Sequence, residues 1–399
     1  MKKAFLWILI MSCYITACKS KKTVVHAQNS DIELLVRQST QNPLCRDYTS
    51  YIPDTIIPEA HITYTIKMIF HIIEGPFEQT NFDLPSGKIF FTNMINNCNQ
   101  RLDLNERMKL PIDNTTPVLH PKIKFDIGTK KLEGVNSFNH HLEDEPSQAY
   151  FLNKGMGQNN YNTTIIKKYA VRDDSLLNVF IMSFPPKLMK DNPSEYHGSG
   201  IALGSSIKIG GLHQKGGPDW GYATMFTHEV GHVLGLGHAW VHDGCDDTPI
   251  HPNCFGDNLG PCEGGGNASN NLMDYNNSQM AVTPCQIGKV RQSLAQEGNF
   301  QRQLLDFDFC ENSDKSPIVI QSKIKWSGER DLDRSIIIKK GGRLHICCRL
   351  SLPRDGFIRV EKGGELILDG VKIHNACGYD IKGVEVVKGG KVVDIREKG

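Results

Sequence analysis

Thr227-His228-Glu229-Val230-Gly231-His232-Val233-Leu234-Gly235-Leu236-Gly237-His238 holds the spaced pattern His-Glu-x-x-His-x-x-Gly-x-x-His. On a helix, residues four apart share a face about 6 Å from one another, so His228 and His232 reach one tetrahedral cation together. Glu229 then stands beside that cation, close enough to a bound water to take its proton. Gly235 lacks a Cβ and is free to adopt the left-handed conformation that ends a helix. The turn carries His238 to a third coordination position. Three neutral nitrogens leave a fourth position open, which marks a catalytic rather than a structural zinc. Met225, Phe226, Val230, Val233 and Leu234 make other faces of the same helix apolar, as a core element requires.

Asn270-Asn271-Leu272-Met273-Asp274-Tyr275 follows, with Met273 placed 35 residues after His238 (273 − 238). The two stretches together resemble the metzincin metalloproteases, which carry a methionine-containing turn beneath the zinc. The Met-Asp-Tyr form, the cysteines between the motifs and Asp247-Thr248-Pro249 look like the pappalysin-type branch. The likeness spans residues 60 to 300 and is most specific from His228 to Tyr275. It implies a catalytic Zn²⁺ on His228, His232 and His238, with Glu229 as general base and acid. By the same likeness Met273 is a packing support, and Tyr275 helps to hold the oxyanion. A core tyrosine with a satisfied hydroxyl is the alternative for Tyr275.

Relatives in that branch carry a longer acidic segment before Asp-Thr-Pro that helps bind calcium. Here it is only His242-Asp243-Gly244-Cys245-Asp246-Asp247, which leaves a structural Ca²⁺ possible but doubtful. The likeness also implies pairings Cys245–Cys262 and Cys254–Cys285, although Cys285 stands late after the turn. Some relatives are kept latent by a pro-segment cysteine on the open zinc position. Cys45 is the candidate for that role, and a disulfide with Cys98 is the alternative.

Upstream of the motif, Ile62-Thr-Tyr-Thr-Ile-Lys-Met-Ile-Phe-His-Ile-Ile73 is β-rich and stops near Gly75, as a central strand does. Lys88 to Leu104 sets Ile89, Phe90, Met94, Ile95 and Leu102 at helical spacing. Lys122–Ile127 and Leu177–Met182 read as further strands. Ile201-Ala-Leu-Gly, leading through Ile207-Lys-Ile into Gly210-Gly211, is a fourth. The expected fold is α+β: over residues 59–310, a metzincin-like mixed twisted sheet with a backing helix and an active-site helix.

Past Pro317 the texture changes. Ile336–Ile346, Ile358–Leu368 and Val384–Val393 share one phrase: a β-run, a lysine, Gly-Gly, a charged residue and another β-run. The glycine pairs begin at 341, 363 and 389, at spacings of 22 and 26 (363 − 341 and 389 − 363). Such a period implies an all-β domain over residues 317–399, a short β-solenoid whose corners use the positive φ of glycine. A β-sandwich of repeated hairpins is the alternative. No catalytic constellation stands out here, and His345 and His374 read as surface or packed histidines rather than ligands.

At the other end, Met1-Lys2-Lys3 and the apolar Ala4–Tyr14 have the length of a signal peptide, not of a membrane span. Ile15-Thr16-Ala17-Cys18 resembles a bacterial lipobox. That implies removal of residues 1–17, a lipid on Cys18 and a membrane-anchored place in the bacterial cell envelope, outside the cytoplasm. An unlipidated secretory signal is the alternative. Residues 18–58 are polar and read as a tether or pro-like segment. Of twelve cysteines, ten lie beyond Cys18, and an even number outside the cytoplasm favours disulfides.

The 399 residues are enough for several domains, and no other apolar run has membrane grade, which excludes a multispan protein. Lys+Arg 45 against Asp+Glu 44 argues against nucleic-acid binding through an overall field. The combined expectation is a monomeric zinc endopeptidase acting on proteins or peptides through a zinc-bound water activated by Glu229. The strand near Ile201–Leu203 would be the sheet edge that pairs with extended substrate. The alternative is a surface binding lipoprotein with a non-catalytic zinc site, which has no need of a carboxylate at position 229. Zinc-dependent deacetylation or ester hydrolysis would use the same metal and base.

Overall fold

The computed structural model describes residues 43–76, 80–128, 134–154, 159–191, 198–252, 269–276, 279–311 and 314–395. The leader, Cys18, Cys254 and Cys262 lie outside the described residues.

The first unit opens on β1 (Tyr64–Glu74), followed by α1 (Leu84–Leu104), β2 (Ile123–Ile127) and β3 (Phe138–Leu142). Short helices α2 (Pro146–Ala149) and α3 (Thr164–Tyr169) precede β4 (Leu177–Met182), and α4 (Pro186–Asp191) precedes the hairpin of β5 (Ser199–Leu203) and β6 (Ser206–Gly210). A helical turn α5 (Leu212–Lys215) leads into α6 (Asp219–Val233), and α7 (Pro284–Ala295) and α8 (Phe300–Gln303) close the unit. The sheet order is β2-β1-β4-β6-β5, with β3 extending the β2 side of β1. All pairs are parallel except β5 on β6. A mixed sheet results, with the one antiparallel strand at its edge.

β1 is central, as its unbroken apolar run demands: Ile66, Met68, Phe70 and Ile72 face one layer, and Ile73 belongs to the other. Helix α1 buries Phe91, Met94, Ile95, Cys98 and Leu102 at three- and four-residue spacing, with Phe91 stacked on Phe70 at 4.8 Å. It starts earlier than the apolar spacing alone indicates. The Asp83 side chain accepts the Ser86 N–H at 2.7 Å, and Pro85 is compatible with a first helical turn. Helix α6 packs on the same sheet face through Ala223, Phe226, Val230 and Val233.

The C-terminal unit is a parallel β-solenoid of three sheets. One holds β7 (Ile318–Ile320), β10 (Ile336–Ile338), β13 (Phe357–Val360) and β16 (Gly383–Val386). A second holds β8 (Lys323–Trp326), β11 (Arg343–Ile346), β14 (Glu365–Asp369) and β17 (Lys391–Ile395). The third holds β9 (Arg330–Asp331), β12 (Leu350–Ser351) and β15 (Ile373–His374). Every pairing is parallel, which excludes stacked hairpins. Ile336 pairs with Ile358 and Ile358 with Val384, the 22- and 26-residue steps of the glycine phrase. The preceding rung, where Ile318 pairs with Ile336, carries no Gly-Gly and escapes that phrase.

The two glycines of each pair have different duties. The first has positive φ: 84° at Gly341, 80° at Gly363 and 92° at Gly389. The second lies under the previous rung, where a Cβ on Gly342, Gly364 or Gly390 would stand 2.2–2.6 Å from a carbonyl oxygen.

The units are fastened covalently and ionically. Cys45 pairs with Cys348 and Cys310 with Cys377. Buried Asp331 of β9 accepts from Arg302 of α8 (2.8 and 2.9 Å), from Arg349 (2.7 Å) and from the Tyr64 hydroxyl (2.8 Å). The reading of Cys45 as a zinc-blocking thiol or a partner of Cys98 is therefore corrected. Cys98 is buried in the α1–α6 seam, its Sγ 3.4 Å from the Ala223 carbonyl, and burial pushes its thiol up to about 12.

Candidate active site

Helix α6 brings the motif to a point. Leu234 N–H closes on Val230 O and Leu236 N–H on Gly231 O, and Gly235 takes φ 96° as the chain turns back. His232 Nε2 lies 3.1 Å from His228 Nε2 and 3.0 Å from His238 Nε2. The opposite nitrogens decide the tautomers. His228 Nδ1 is 2.8 Å from Leu272 O and His232 Nδ1 is 2.9 Å from Leu236 O; a carbonyl only accepts, so both Nδ1 carry the proton. Their Nε2 lone pairs consequently face one another.

Burial pushes His228 down to about 3, with His232 and His238 acting in the same sense, and burial also takes His238 to about 4. Three imidazoles converge Nε2 to Nε2, with the lone pairs of His228 and His232 turned inward. That donor set fits a tetrahedral N-liganded cation of the zinc type.

Glu229 is 8% exposed and lies against the edge hairpin, where the nearby Ala202 backbone favours its charged form. Burial raises it to about 7. A Cβ on Gly200 would stand 2.6 Å from Glu229 Cγ, so β5 approaches this side chain only because position 200 is glycine.

Met273 is fully buried under the helix, and a Cβ on Gly231 would meet its Sδ at 2.5 Å. Tyr275 is 42% exposed, with its ring 5.6 Å from that of His228 and 5.1 Å from that of His238. The core-tyrosine alternative is thereby corrected: this ring lines the open side of the histidines.

The sequence reading missed several supports. Trp240 stacks on His238 at 3.9 Å and 15° between planes. Its only sequence signal was an aromatic residue two places after the third histidine. His251 and Asp274 form a buried pair at 3.1 Å; burial lowers His251, but Asp274 outweighs it and the pKa is raised. Asn271 and Gln286 exchange amide hydrogen bonds of 2.9 and 3.0 Å beneath the turn.

The Asp-Thr-Pro stretch serves this support too. Asp247 accepts the Thr283 hydroxyl at 2.7 Å and the Cys285 N–H at 3.0 Å at the start of α7, and Asp243 accepts the Thr248 hydroxyl at 2.7 Å. Cys245 pairs with Cys285, which overturns both pairings implied by the resemblance. With Cys285 on the first turn of α7, the bridge locks the Asp243–Asp247 loop to the helix that Asp247 caps.

Residues 216–295 match the family Peptidase_M43, pregnancy-associated plasma protein-A. The match encloses the three histidines, Glu229, the Met273 turn and the Cys245–Cys285 bridge, and its family is one of metalloproteases. Among solved structures, the chain is similar to mature mirolysin of Tannerella forsythia in complex with a cleaved peptide. That likeness has 17% identity over 61% of this chain and 96% of that one, with TM-score 0.41. A mirolysin complex with a compound shows 17% identity over 62% and 97%, TM-score 0.37. A T. forsythia promirolysin variant shows 16% over 61% and 84%, TM-score 0.39. No curated protein matches.

Proposed function

We propose that the protein is a zinc endopeptidase that hydrolyses peptide bonds of extracytoplasmic proteins. The observation that carries this reading is the convergence of three Nε2 atoms beside a buried carboxylate, Glu229, next to His228 on the same helix. A zinc ion on His228, His232 and His238 would polarise the scissile carbonyl and acidify the attacking water. Glu229 takes the water's proton and later delivers one to the leaving amine. Gly200 lets β5 close on that carboxylate, which fixes its place. Tyr275, on the open side, donates its hydroxyl to the developing oxyanion.

The edge strand β5 pairs with extended substrate, which sets the scissile bond above Glu229. Asp243 and Asp247 give their carboxylates to protein donors that hold this loop to α7. In this reading Cys18 carries a lipid and the enzyme works from a bacterial envelope membrane.

The test compares the purified protein with Glu229→Ala on a denatured protein mixture, with metal content measured in both. Chelator-sensitive cleavage by the unaltered protein, and retained zinc without cleavage in the variant, is the expected result. Stoichiometric zinc with no cleavage by either protein would favour the binding lipoprotein. Cleavage of esters or acetyl groups but not of a peptide library would point to the third chemistry.

A further inference from the structure

The solenoid holds a second convergence of metal-binding atoms. The ladder of β11 continues past Ile346, since the Cys347 N–H donates to Trp326 O at 3.0 Å. Side chains two apart on extended backbone share a face, so His345 and Cys347 project together. On the next rung Leu368 pairs with Ile346, which brings Asp369 level with Cys347. His345 Nε2 thus lies 3.3 Å from Asp369 Oδ2 and 3.6 Å from Cys347 Sγ, and the three donor atoms lie within 4.8 Å of one another.

Both neighbours address the same ring nitrogen. Without an ion, one N–H would have to be divided between the carboxylate and a weak sulfur acceptor. A nucleophilic Cys–His–Asp relay would need them on opposite nitrogens. Convergence on a single point is what a coordinated cation requires.

Both distances from His345 Nε2 agree with one. Tetrahedral zinc bonds of about 2.05 Å to nitrogen, about 2.3 Å to sulfur and about 2.0 Å to oxygen separate N from S by about 3.6 Å and N from O by about 3.3 Å. Thiolate and carboxylate together neutralise a divalent ion, and a mixed N, S and O set suits zinc rather than magnesium or calcium.

We propose that His345, Cys347 and Asp369 form a second zinc site, built by adjacent rungs of the solenoid and separate from the three-histidine centre. Cys347 is buried, whereas the His345 and Asp369 side chains are 25% and 30% exposed, so the ion enters from solvent and keeps a position open to water. The site clips β11 to β14 directly beside the Cys45–Cys348 bridge. It makes ligands of His345, which its sequence context presented as a surface or packed histidine, and of a thiol in an oxidising compartment.

Cobalt(II) loading of the metal-stripped whole protein distinguishes the two centres, because only a sulfur ligand produces the near-ultraviolet thiolate-to-cobalt charge-transfer band. The expected result is two cobalt ions per chain with that band. Cys347→Ser should lose the band and one equivalent, and His345→Gln should lose one equivalent while keeping the thiol and a folded core. Peptide cleavage should be unchanged in both. One cobalt per chain without a thiolate band in the unaltered protein, or two equivalents retained in His345→Gln, would overturn the proposal. Should Cys347→Ser fail to fold, His345→Gln alone decides. The spectroscopic readout does not depend on the peptidase reading.

Discussion

Gly200 of β5 and Glu229 of α6 are in contact so close that a Cβ at position 200 would stand 2.6 Å from Glu229 Cγ and 3.1 Å from its Oε1. The strand flanking the site is thus drawn against the proposed base. Gly200→Ala must push the carboxylate or the strand aside. Displacements of about 1 Å at a reacting group can cost on the order of 10²-fold in rate. Steady-state kinetics should show kcat reduced by about that factor with zinc content intact. An unchanged kcat would mean that Glu229 tolerates relocation.

That contact also shows where the sequence stops being informative. The ligand spacing and the helix-ending glycine are local, set by a 3.6-residue turn, and could be read directly from residues 228–238. So could the central strand, the Met273 turn and the solenoid phrase. The special roles of Gly200 and Gly231 arise from side chains 29 and 42 residues further on (229 − 200 and 273 − 231), and nothing in their neighbours announces it. The partner of Cys45 lies 303 residues away, so only the fold chooses among the available cysteines. The first solenoid rung turns without Gly-Gly and emerges only from its pairing with Ile336.

The bridge from Cys45 to Cys348 predicts the behaviour of the N-terminal segment. A cysteine held in the C-terminal unit is not available to block the histidines. Cys45→Ser should therefore give no activation of peptide cleavage. Stability should fall instead, by about 2–4 kcal/mol, since the bridge closes a very long loop. Denaturant unfolding and a peptide assay of the same preparation check both halves; a several-fold rise in activity would restore the latency reading.

Asp331 sits fully buried, and the guanidinium groups of Arg302 and Arg349 outweigh burial and hold its carboxyl far below the usual carboxylate range. A carboxyl with a lower pKa folded than unfolded stabilises the fold above its unfolded value of about 3.9, and that stability is lost as pH falls below it. Asp54 and Glu297, each lowered to about 2, add to the same slope. The unfolding free energy should decline on acidification below about pH 6.5 as the buried neutral histidines such as His228 and His238 are forced to charge, and more steeply below about pH 4, where Asp331→Asn should flatten the decline. At neutral pH that variant leaves buried Arg302 without its counter-ion, while Arg349 keeps Glu329 at 2.9 Å, and should cost about 3–5 kcal/mol. Urea titrations of both proteins at several pH values measure each effect, and an unaltered pH slope in the variant would assign the acid sensitivity elsewhere.

In the proposed zinc site Trp240 acts through His238. Its indole lies flat on the imidazole at 3.9 Å, and Tyr275 packs on the indole at 4.6 Å, so the third ligand is held between aromatic rings rather than by a hydrogen bond of the kind that fixes His228 and His232. Loss of an outer support of a metal ligand commonly costs 10- to 100-fold in affinity. Trp240→Ala should release zinc to a competing chelator at a correspondingly lower chelator concentration, whereas Trp240→Phe, which keeps a flat ring, should fall between the two. Equal retention in all three proteins would mean that the turn after Gly235 alone positions His238.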